Sequence, residues 1–127
     1  MNPLKGRFRI PLPFFLCLFL AIVATSQVFG QNTWNGTTGN WNTPGSWSLG
    51  HVPLAGEDVV VPNGGSDYTL TVNTAAVCNS LAISGGNRAT IVTINGSNSL
   101  TVTNGISIGA GTGNGDDKFL NVDAGTL

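Results

Sequence analysis

Basic side chains are scarce in this chain, and most of those present cluster at one end. Of five Lys and Arg residues, Lys5, Arg7 and Arg9 stand at the extreme N-terminus. That leaves Arg88 and Lys118 against Glu57, Asp58, Asp67, Asp116, Asp117 and Asp123, a net charge of about −4 after residue 30. Such a segment has no footprint for phosphate backbones or anionic membranes, so nucleic acid is excluded as a partner. Histidine is rarer still. His51 is the single one, which rules out a multi-histidine metal site and leaves a Ser-His-Asp arrangement one candidate base. It lies in Gly50-His51-Val52-Pro53, a turn-like context without a nucleophile motif, and an exposed loop residue is expected. Of two cysteines, only Cys78 follows the leader, so no intrachain disulfide can form there. A small buried hydrophobe is expected at that position. No segment after residue 30 has helical periodicity.

The first thirty residues differ in composition from the rest. Behind the basic residues, Phe14 to Ala24 form an unbroken apolar run. Its length suits the core of a signal peptide, whereas a spanning helix needs roughly 20 apolar residues. Ala24 and Ser26 fit cleavage before Gln27, and Val28 and Gly30 fit cleavage before Gln31. Phe14-Phe15-Leu16 ahead of Cys17 is unlike a lipobox. The expectation is a bacterial protein carrying a signal peptide over 1–30, secreted or held at the cell surface, with no membrane insertion after cleavage.

What remains is rich in turn formers. Residues 31–127 contain 16 Gly, 13 Asn and 13 Thr, a composition that disfavours helices and suits short strands joined by tight turns. Ser80-Leu81-Ala82-Ile83-Ser84-Gly85-Gly86 returns as Ser99-Leu100-Thr101-Val102-Thr103-Asn104-Gly105 and again as Phe119-Leu120-Asn121-Val122-Asp123-Ala124-Gly125. The steps between copies are nearly equal, marked by Leu81, Leu100 and Leu120. Two aliphatic residues two apart, with small or polar residues between, describe a strand with one buried face. Repetition at a short period describes a stacked array, because one coil cannot bury its apolar side alone. The expected fold is all-β: a β-solenoid, a right-handed parallel β-helix over 58–127 with Leu81, Ile83, Leu100, Val102, Leu120 and Val122 inside. An antiparallel sandwich is the competing architecture. No polar cap follows the last repeat, so the array is expected to be truncated at Leu127, the N-terminal piece of a longer protein.

Trp34, Trp41 and Trp47 fall close together, ahead of the first repeat. They define a Trp-rich cap over 31–57, with the rings covering the apolar end of the first coil. The other reading makes them a carbohydrate-stacking platform. Here the chain resembles the start of secreted bacterial surface proteins whose spaced tryptophans lead into a parallel β-helix. The residues that match are Trp34, Gly36, Trp41, Trp47, Gly50, Val52, Pro53, Gly56, Asp58, Val59 and Val61. It is also similar to the opening of the eight-glycine extracellular domain. The resemblance implies an adhesin-like or scaffolding protein that meets an unknown extracellular ligand, a glycan or a host or cell surface.

Chemistry is harder to find. Asp58, directly before a strand, suits a turn acceptor better than a catalytic role. Across the aligned repeats, Asp123 falls at the position of Ser84 and Thr103, so no acidic row forms. The chain is therefore expected not to be an enzyme and to need no cofactor. The alternative is the N-terminal stub of a polysaccharide-degrading β-helix enzyme, or a carbohydrate-binding module. Gly113-Asn114-Gly115-Asp116-Asp117-Lys118-Phe119 fits the core of a nonapeptide calcium repeat. Asp116 and Asp117 are thus candidate calcium ligands, against a solvated acidic turn. Thr-x-Thr at Thr69/Thr71 and Thr101/Thr103 raises an ice- or crystal-binding face, but the same alignment pairs these residues with Ala82 and Asn121, which breaks any threonine row.

Overall fold

Among the described residues, period-two alternation after residue 30 folds into eight strands: β1 (Gln31–Thr33), β2 (Gly39–Asn40), β3 (Asp58–Val61), β4 (Tyr68–Val72), β5 (Ala75–Ile83), β6 (Thr90–Asn95), β7 (Ser99–Ile108) and β8 (Lys118–Asp123). The computed structural model describes residues 29–113, 115–123 and 127. All but the last two residues of the expected signal peptide therefore lie outside the described residues. Among those described there is no α-helix; a single 3-10 turn occupies Pro44–Ser46.

Odd-numbered strands form one four-stranded sheet, in the order β1-β3-β5-β7, and even-numbered strands form the other, β2-β4-β6-β8. Every pairing between named strands is parallel. Each coil thus gives one strand to each sheet, and the chain is a β-solenoid of about four turns. A sandwich would need antiparallel neighbours. The cap assigned to 31–57 is part of this stack, because β1 and β2 pair with β3 and β4 and form its first coil.

The core is a set of inward rows. Asn32, Val59, Leu81 and Ile106 stack in one sheet. Gly39, Leu70, Val92 and Leu120 stack in the other, with Val72, Ile94 and Val122 beside them. Leu70, Val72, Val92, Ile94 and Leu100 are fully buried; each such side chain contributes about 1.5–3 kcal/mol by leaving water. Coil corners are equally close. A Cβ at Gly85 would lie 2.6 Å from the Ala110 carbonyl oxygen of the next coil, so this corner has room only for glycine.

The register corrects the expected repeat alignment. Leu81 stacks on Val59 and Ile106, Leu100 on Ala76, and Leu120 on Val92. The three near-copies therefore do not stack in register: the first two lie in different halves of the odd-numbered sheet and touch only where Ser80 pairs with Gly105, and the third lies in the even-numbered sheet. The coil step is also uneven. It is shortest between Val59 and Leu81 and between Leu70 and Val92, longer between Leu81 and Ile106 and between Val92 and Leu120, and longest between Gly39 and Leu70. A slip in register between Cys78 and Ser80 bends β5 and β7, so that both halves of each long strand keep an inward row. Leu81, Ile83 and Leu100 are buried as expected, and Val102 and Leu120 are partly covered. Val122 is 42% exposed, because no described residue stacks on β8.

Candidate functional site

The three tryptophans meet at the closed end of the stack, buried to 1%, 0% and 3% exposure. Trp47 is wedged between the other two, edge-on, with ring centroids 5.0 Å from Trp34 and 4.8 Å from Trp41. Such pairs add about 0.5–1.5 kcal/mol beyond their buried area. Two indole N–H groups are used: Trp34 Nε1 donates to the Thr37 carbonyl at 2.7 Å and Trp47 Nε1 to the Trp41 carbonyl at 2.8 Å. A Cβ on Gly39 would come within 3.0 Å of the Trp34 ring. With every ring face against protein, none is open for a pyranose, and a carbohydrate platform at Trp34, Trp41 and Trp47 has no surface to work from.

Beneath this cap lies a polar knot that the sequence did not disclose. Asn32 is fully buried; its Nδ2 donates to the His51 carbonyl at 3.0 Å and to Glu57 Oε2 at 3.2 Å. Glu57, 4% exposed, also accepts the Leu54 backbone N–H at 3.0 Å, and its Oε1 lies 3.3 Å from His51 Nε2. Burial of a carboxylate requires this many partners. His51 is half-buried and pinned to Glu57, not free in a loop, so it anchors residues 49–57 to β1.

Farther along, Asp58 accepts Asn79 Nδ2 at 2.8 Å and Ser80 Oγ at 2.6 Å, and Asn104 Nδ2 donates to Asn79 Oδ1 at 2.6 Å. The Ser80 and Asn79 donors hold the Asp58 carboxyl below its ordinary 3.8. Its role is a rung in a ladder that ties three coils together. Cys78 is free and fully buried; burial, with the Asp58 charge, pushes its thiol up to about 11. Burial likewise raises the Tyr68 hydroxyl to about 12.

The proposed calcium ligands are not brought together with other ligands. Among the described residues, no three His, Cys, Asp or Glu side chains gather in one place. Instead Lys118 Nζ donates to the carbonyls of Asp116 (2.8 Å), Gly86 (3.4 Å) and Arg88. A tethered ammonium occupies the carbonyl set that a cation would use. Asp116 folds back towards Gly113, whose Cβ, if present, would lie 2.5 Å from Oδ2. Asp117 contributes its carbonyl, which accepts the Thr90 N–H at 3.0 Å.

One surface emerges only from the true register. On the outward face of β2-β4-β6-β8, Asn40, Thr71, Thr93 and Asn121 stand in a row, with Thr69, Ile91 and Phe119 in the row beside it. Asn73 Nδ2 donates to Asn42 Oδ1 at 3.1 Å across the first two coils. Phe119 is 50% exposed. Aligning the near-copies hid this face, since it set Thr101 beside Asn121, whereas Asn121 stands beside Thr93.

A family model described as "Domain of unknown function (DUF8693)" matches residues 33–114. It spans cap and coils together, from the end of β1 to the turn before β8. No curated protein and no solved structure matches the chain.

Proposed function

The chain belongs to the DUF8693 family, and we propose that it is a non-enzymatic scaffold of an exported bacterial protein, adhesin-like, acting at the cell surface or outside the cell. The observation that carries this reading is the coil-by-coil repetition of polar ladders on both outer faces. Asp58–Asn79–Asn104 runs along one sheet, and Asn42–Asn73 and Thr71–Thr93 run along the other. A surface built in equal polar steps extends with each coil, which suits a stalk or a repeating contact face better than a single reaction centre. The basic, apolar and small-residue order of 1–30 supports export.

Expression of the full chain in a bacterium, followed by fractionation and N-terminal sequencing, tests the location. The expected product lies outside the cytoplasm and begins at Gln27 or Gln31; an intact Met1 product in the cytosol would end the reading. The second reading, a polysaccharide-degrading β-helix enzyme or carbohydrate-binding module, is favoured by the half-exposed Phe119 beside the Thr93–Asn121 row. Release of reducing ends from plant or microbial polysaccharides by the purified chain would select the enzyme.

A further inference from the structure

We infer that the outward face of β2-β4-β6-β8 binds an extended neutral polysaccharide laid along the solenoid axis, across the strands. This names the ligand class of the scaffold proposed above and rests on that reading. Successive coils present Asn40, Thr71, Thr93 and Asn121 in line, spaced at the inter-strand distance of about 4.8 Å. That step is close to the length of one pyranose unit, so a linear chain meets one amide or hydroxyl group per sugar. Amides and hydroxyls both donate and accept, as the vicinal hydroxyls of a sugar require.

The neighbouring row supplies the apolar part. Ile91 and Phe119 pair across β6 and β8, and the Phe119 side chain is half exposed on a strand whose alternate residue, Leu120, turns into the core. An exposed aromatic edged by hydrogen-bonding groups offers a stacking surface for the C–H face of a pyranose. Charge then selects the polymer. Among the described residues, the ionised side chains bordering these rows include Asp123 at the end of β8 and Asp67 and Asp117 just before β4 and β8, and the segment after residue 30 is acidic overall. An anionic polysaccharide would be repelled, whereas a neutral one would not.

The test is retention of the full chain on microcrystalline cellulose and on chitin, with polygalacturonate as the anionic comparison. Retention on at least one neutral polymer, insensitive to added salt, is expected, with none on polygalacturonate. Phe119→Ala and Thr93→Lys should each weaken binding by about tenfold or more, while circular dichroism and the melting temperature stay as in the parent. Both side chains point away from the core, so folding does not confound the result. Wild-type chain that ignores both neutral polymers, or variants that bind as well as the parent, would overturn the inference. So would thermal hysteresis without glycan retention, which would assign the face to an ice lattice. An extracellular chain that binds no glycan removes the ligand and leaves the scaffold; a glycan-binding chain that stays in the cytosol does the reverse.

Discussion

The two ends of the solenoid use the same inward pattern with opposite outcomes. At the first coil, Trp34, Trp41 and Trp47 fold over the rows and leave at most 3% of any indole exposed. At the fourth, Ile106, Ile108 and Val122 continue those rows, yet are 36%, 47% and 42% exposed. Ile106 stacks on Leu81 as Leu81 stacks on Val59; only the layer beyond it differs. Burial of the Leu81–Ile106 row is thus set by the layer beyond it and not by the residue. Stability should accordingly fall off along the axis towards β7 and β8.

One charge placed at a covered and at an uncovered inward position of β7 shows this difference most strongly. Leu100→Asp buries an unpaired carboxylate against Ala76 and should abolish the cooperative melt, whereas Ile106→Asp, at the open face, should keep it. Equal loss from both would show that the exposed half of β7 is as constrained as its buried half. Next in size is Trp47→Ala, which empties the centre of the cap and should cost about 3–5 kcal/mol in urea unfolding. In the parent protein the indole emission should be blue-shifted and resist iodide quenching; ready quenching of the folded chain would contradict the closed end.

A thiol reports on the covered interior. With Cys78 raised to about 11 from its ordinary 9.0, its thiolate fraction near pH 8 is about a hundredfold below that of a free cysteine. Labelling by a thiol reagent should therefore be slow in the folded chain and fast in urea. Holding the thiol neutral stabilises the fold fully below pH 9 and loses that effect as pH rises through about 11, so urea midpoints should fall between pH 8 and pH 11. Rapid labelling under native conditions would mean that Val102 does not cover it. The smallest effect is expected at Val122→Ser, within about 0.5 kcal/mol, since its side chain is already wet.

Fold class was legible in the sequence because alternation and turn residues act locally. Register was not. An aliphatic-x-aliphatic triplet is demanded of any strand with one covered face, in either sheet, so Leu81, Leu100 and Leu120 look alike while occupying three different places in the coil. Corner loops of unequal length then vary the coil step from one turn to the next without changing the triplets. The cap was readable because three large rings close together have few ways to leave water. The knot of Asn32, His51 and Glu57 joins residues far apart in the chain, and each taken alone resembles an ordinary polar loop residue. The Thr71–Thr93 row was missed for the same reason as the register.

Lys118 carries a consequence for how the last coil depends on its medium. Its ammonium fills a set of carbonyls from two successive corners, at Gly86, Arg88 and Asp116. A dissociable ion in that place would be governed by mass action: occupied in a concentrated medium, empty in a dilute one, and stripped by any chelator. A charge tethered to β8 by its own backbone has a local concentration that no dilution lowers. The seam between the third and fourth coils is thereby independent of the ionic supply outside the molecule.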